Sequence, residues 1–132
     1  MKIKEGFLYH IFNQGNNRRR IFYERENYLF FLNKLKTYII PYADVIAWCL
    51  MPNHFQLMVH IGKEFIWYDG NGKILIESEA EIVQGYSLDV KMVKKRTFND
   101  SFGILLRSYT RAINKRLGFS DALFRKETNP NV

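Results

Sequence analysis

Apolar and polar positions change their period several times along this chain, and each change marks an element. "FLYHIF", residues 7–12, is an apolar run of strand length, and "NQGNNRRR", residues 13–20, follows as a polar, turn-prone loop. In "YERENYLFFLNKLKTYII", Tyr28, Phe31, Leu32, Leu35 and Ile39 fall on one face of a helix that Pro41 stops. "ADVIAWCLM", residues 43–51, is mostly apolar, which predicts a strand buried on both sides with Trp48 and Cys49 in the core. After Pro52 and Asn53 the period becomes two. Phe55, Leu57, Val59 and Ile61 point one way, and His54, Gln56, Met58 and His60 the other.

The second half reads less evenly. "FIWYDGNGKILIE" predicts a hairpin around Asp69-Gly70-Asn71-Gly72. "VQGYSLDVKMVKKRT" is ambiguous. A second helix is predicted from about Asp100 to Leu117, capped by Asn99 or Asp100 and ended by Gly118. Its apolar stripe is Phe102, Leu105, Leu106, Tyr109 and Ile113. "DALFRKET" predicts a last short strand that carries Arg125 and Lys126. With the hairpin set aside, the order is strand, helix, strand, strand, helix, strand. That order predicts an α+β, ferredoxin-like split βαβ fold: a four-stranded antiparallel sheet with two helices on one face. Residues 1–132 then form one domain with a hairpin inserted at about 63–97.

Charge changes the picture. Residues 1–90 carry ten Lys and Arg against ten Asp and Glu, whereas residues 91–132 carry ten against three, so the whole +7 lies in the last third. A basic segment on a neutral body points to a polyanion, most often nucleic acid. The bland alternative is a solvated surface that keeps the protein in solution. Lys94, Lys95 and Arg96 precede the second helix, and Arg107, Arg111, Lys115 and Arg116 decorate it. Arg18, Arg19 and Arg20 form a second basic group. Apolar residues make up 47% of the chain, enough to fold, but no run is long enough to span a membrane. One cysteine and no signal-like N-terminus fit a reduced, cytoplasmic setting.

"YHIFNQGNNRRRIFYERENYLFFLNKL", "AWCLMPNHFQLMV" and "LLRSYTRAINKRLGFSDALFRK" together resemble the single-tyrosine HUH transposases, in particular the REP-associated tyrosine transposases. The resemblance covers residues 7–61 and about 99–126. It implies a domain that binds single-stranded or hairpin DNA, and a tyrosine that attacks a phosphodiester to form a covalent 5′-phosphotyrosine link. It implies Mg²⁺ or Mn²⁺ at a His-hydrophobic-His strand, and it admits a homodimer. By the same resemblance Asn13, Asn16, Asn17, Arg18, Arg19 and Arg20 form a DNA-facing first loop, with Arg107, Arg111, Lys115, Arg125 and Lys126 as further DNA contacts.

Two departures qualify this. The His-hydrophobic-His strand is His54-Phe55-Gln56 here, so the metal ligands would be His54 and the Gln56 amide oxygen. His60 lies too far along the strand to replace either. The family's nucleophile sits on a helix after the last strand, yet no tyrosine follows Tyr109. Tyr109, with Asn114 five residues on, is the one stand-in, and its apolar stripe favours packing instead. The expectation is a DNA-binding, transposase-like domain that is catalytically impaired or lacks its C-terminal tyrosine helix. An active nuclease and a protein-interaction module are the alternatives. His10 is left open between site and core.

Overall fold

Alternation in β1 (Leu8–Gln14) and β3 (His54–Ile61) decides which side of the main sheet is dry. Tyr9, Ile11, Phe55, Leu57, Val59 and Ile61 are all buried, while their neighbours Leu8, Met58 and His60 are exposed. The computed structural model describes residues 2–75, 93–126 and 129–131. Among these the main sheet is antiparallel, with β2 (Ala43–Met51) outermost and the order β2-β3-β1-β7, where β7 is Asn129–Asn131.

Two helices cover the dry face. Helix α1 (Arg25–Tyr38) starts at Glu24, where the buried Asn27 Oδ1 accepts from the backbone N–H of Tyr23 at 2.8 Å and of Glu24 at 3.0 Å. Helix α2 (Phe98–Leu117) is capped by Thr97, whose hydroxyl accepts from Asp100 N–H while Asp100 accepts from Thr97 N–H. The helix therefore begins before Asp100: that residue is the third position of a capping box, not the cap. Gly118, at φ 75°, ends it in the left-handed conformation that glycine adopts without strain. Phe55 receives both helices and the C-terminal segment. Its ring centroid lies 5.2 Å from Phe31, 6.1 Å from Phe102 and 5.8 Å from Phe124.

The structure corrects three expectations. Strand β2 is not buried on both sides. It is a sheet edge beyond the cover of the helices, with Ile46 58% and Trp48 56% exposed and the Cys49 thiol also exposed. An apolar run does not distinguish a central strand from an edge. The insert is also more than a hairpin. β4 (Phe65–Tyr68) and β5 (Ile74–Leu75) form the expected pair, but β6 (Lys94–Thr97) joins them in a second sheet of order β5-β4-β6. Tyr42 ties this sheet to the main body: its hydroxyl donates to the Arg96 carbonyl and lies 3.2 Å from that of Tyr68. Finally, Arg125 and Lys126 precede the last strand. Phe124 makes a single bridge to Gly15, and Arg125 N–H donates to Gln14 at 2.9 Å.

Replacing Phe55 with Ala removes the ring that both helices share and should cost about 3–5 kcal/mol. Trp48→Ala, on the open edge, should cost no more than about 0.5 kcal/mol. Urea unfolding of the two variants measures the contrast.

Candidate nucleic-acid interface

Asn13 and Gln14, read from the sequence as loop, end β1, and the loop that follows, residues 15–20, is held from below by backbone bonds. Gly15 N–H donates to Asn53 O at 2.8 Å, and Asn16 N–H to Leu123 O at 2.8 Å. Where the loop returns, Ile21 and Phe22 N–H both donate to Pro52 O, at 2.7 and 3.1 Å. Gly15 is obligatory, because a Cβ there would stand 1.9 Å from the Arg19 carbonyl oxygen. Two consecutive residues, Asn17 at φ 55° and Arg18 at φ 61°, are left-handed. Asn tolerates this conformation; Arg adopts it at some cost, and such strain collects at binding loops. Asn13 is 2% exposed, and its amide serves the fold: Oδ1 accepts from Gln14 N–H at 2.7 Å. Asn16 is half-buried and Asn17 exposed.

The three arginines have different surroundings. Arg19 pairs with Asp121 at 3.3 Å and lies over the Phe119 ring, 4.9 Å from its centroid. Arg20 donates through Nε to the Phe22 carbonyl at 2.6 Å. Arg18 stands exposed at the tip. Nearby, with its amide oxygen turned to the guanidinium, Gln14 accepts from Arg125 Nε at 2.8 Å. Arg107, Arg111 and Lys115 recur every four residues on the exposed side of α2, and Lys126 on the C-terminal segment is exposed as well. Arg116 is engaged by Glu24. The loop thus joins a basic rim that runs from Arg18 to Arg125 at the end of β1.

Gln14 pairs with His54 across β1 and β3, so that rim borders the candidate metal ligands. His54 Nδ1 lies 2.9 Å from Asn53 Oδ1. An amide oxygen only accepts, so His54 donates to it through Nδ1–H. Gln56 shares the open face, but its Oε1 lies 2.9 Å from His10 Nε2 and accepts from it. The sequence left His10 undecided; the register puts it on the open face beside Gln56. No group of three His, Cys, Asp or Glu gathers around His54 among the described residues. An imidazole and an engaged amide bring no carboxylate to the site, whereas Mg²⁺ is usually held through one or two carboxylates.

Tyr109 is in the core, 0% exposed. Its hydroxyl donates to the Ile21 carbonyl at 2.7 Å, and the Phe31 ring meets it edge-on at 5.3 Å. Burial, with smaller contributions from Tyr28 and Tyr23, pushes its phenol well above the ordinary value. A nucleophile needs the opposite, an accessible oxygen with an easily lost proton. The stand-in role that spacing offered Tyr109 is therefore corrected by its surroundings: it supports the loop from beneath.

No protein-family model matches the sequence, and no curated protein matches it. Among solved structures, that of a REP-associated tyrosine transposase bound to a REP hairpin has a similar fold, with a TM-score of 0.56 at 9% sequence identity. The likeness covers 99% of this chain and 58% of that one, so this chain spans little more than half the length of its neighbour. None of the described helices is long and apolar enough to cross a membrane.

Tyr109 and Tyr42 are both held above the ordinary phenol value of 10.0, Tyr42 by burial first and by Tyr68 second. Above about pH 10 the unfolded chain loses phenolic protons that the fold retains, so stability should fall as pH rises. Thermal melts from about pH 8 to 11 check this. Tyr109→Phe should flatten the decline, and at neutral pH it should cost about 1–3 kcal/mol by leaving the Ile21 carbonyl without its donor.

Proposed function

We propose that this chain is a transposase-like DNA-binding domain of the HUH type that holds single-stranded or hairpin DNA and does not itself cut it. The observation that carries the reading is the basic rim of Arg18, Gln14 and Arg125, beside His54, in a fold similar to that of a transposase bound to a DNA hairpin. Arg18 and Arg125 meet phosphates at the end of the sheet. Arg107, Arg111, Lys115 and Lys126 extend the positive field along α2 and the C-terminal segment. Arg19 and Arg20 shape the loop through Asp121 and the Phe22 carbonyl. Phosphate contacts of this kind fix register and orientation and supply most of the affinity.

The proposal assigns no strand cleavage to these residues. Tyr109 is buried with a raised pKa, and the Gln56 amide oxygen is engaged by His10. A second reading has an observation in its favour: the apolar edge formed by Ile46 and Trp48 on β2 suits a protein partner or a second copy of the chain. It does not account for the basic rim.

Labelled DNA hairpins and their unpaired counterparts test the proposal. Binding should weaken with salt, with a log–log slope of about −0.7 per contacted phosphate on single strands. Arg18→Ala and Arg125→Ala should each make that slope shallower by about 0.7. Removing Mg²⁺ with EDTA at matched ionic strength should leave the affinity unchanged. Denaturing gels should show neither cut strand nor protein–DNA adduct. No binding at low salt would remove the proposal, and an adduct would replace it with an active enzyme.

A further inference from the structure

The second sheet has no part in the site described above. Phe65 and Trp67 alternate onto one of its faces, half-exposed, with ring centroids 6.2 Å apart in an edge-on arrangement. Lys95, opposite Trp67 on β6, brings its ammonium 4.0 Å from the Phe65 ring centroid. On the other side of β4, Leu75 pairs with Trp67. A cavity of about 250 Å³ is lined by Lys63, Phe65, Trp67 and Leu75, with Glu5 at its side. Strand β6 is the edge of this sheet and reads Lys94-Lys95-Arg96-Thr97.

We propose that β4 and β6 form a second nucleic-acid contact, in which an unpaired nucleobase stacks on Trp67 while Lys95 and Lys63 meet the flanking phosphates. Charge complementarity selects this occupant. Lys95 shares the face of Trp67, while Lys94 and Arg96 pair with Tyr68 and Ile66 on the other; a cationic edge of this kind attracts a polyanion and opposes the addition of a protein strand. The Glu5 carboxylate beside the cavity accepts from Glu64 N–H at 3.2 Å, and its negative charge is set against the cations Lys63 and Lys95. Aromatic rings alternating with cations are the general device for gripping single strands without reading sequence.

The proposal rests on the DNA-binding reading and adds a location to it. Seven residue steps separate His54 from Ile61, about 23 Å along β3, and β4 begins beyond Ile61. The two contacts are therefore at opposite ends of β3. An unpaired extension of a few nucleotides on a hairpin seated at the Arg18 rim can span that distance to the second sheet.

The experiment compares a blunt DNA hairpin with the same hairpin bearing an unpaired tail of about ten nucleotides on either end. The tailed hairpin should bind at least ten-fold more tightly. Trp67→Leu with Lys95→Ala should abolish that gain and leave blunt-hairpin affinity unchanged, while Trp67→Phe should keep most of it. In a Trp48→Phe background, which retains native Trp67, the tailed hairpin should quench Trp67 fluorescence and the blunt one should not. If the blunt hairpin binds but the tail adds nothing and Trp67 emission is unmoved, the second contact is refuted and the first survives. A protein partner on this face would give that result. If neither hairpin binds, both proposals fall.

Discussion

The carbonyl of Pro52 accepts two backbone N–H groups, from Ile21 and Phe22, and the rest of the candidate site depends on that junction. It ties the return of the 13–20 loop to the turn that starts β3. The neighbouring Asn53 carbonyl takes Gly15 N–H, and the Asn53 side chain takes His54 Nδ1. From beneath, Tyr109 donates to Ile21 and closes the arrangement against the core. One turn therefore fixes the loop, the His54 ring and the entry to β3 together. A buried backbone group left unpaired is costly, so these bonds make the loop conformation part of folding stability. That also explains how two left-handed residues persist at its tip.

The two faces of the main sheet divide structure from function. The dry face is aromatic and shared by both helices, with Phe55 as the common neighbour. The open face carries Gln14, His54, Gln56 and His10, linked to one another or to Asn53 and Arg125 by polar contacts. This is a face with donors, acceptors and cations near its edge. It lacks a cluster of negative ligands among the described residues. On the proposed reading, these donors and cations hold a phosphodiester.

Much of this was legible in the sequence because burial on one face imposes a period. The alternation of β3 and the stripe of α2 marked the residues that are buried, Tyr109 among them. The turn residues of "NQGNN" and Pro52-Asn53 marked the loop junction. What the sequence hid depends on neighbours in space. Whether β2 lies inside the sheet or at its edge is decided by strand order, so its apolar residues misled. His10 could not be assigned until the register set it beside Gln56. "KKRT" resembles a solvated basic stretch until it pairs with β4. The separate fates of Arg18, Arg19 and Arg20 depend on Asp121, Phe119 and the Phe22 carbonyl, two of them about a hundred residues away.

The most direct measurement is an amide ¹H–¹⁵N spectrum of the labelled protein, titrated with a single-stranded DNA hairpin at low salt. Shifts concentrated on Gln14 to Arg20, Asn53 to Gln56 and Arg125 would place the DNA on the rim that Pro52 organises. Shifts absent there, or confined to the Ile46–Trp48 edge of β2, would contradict the DNA-binding role and return the open face to an ordinary sheet surface.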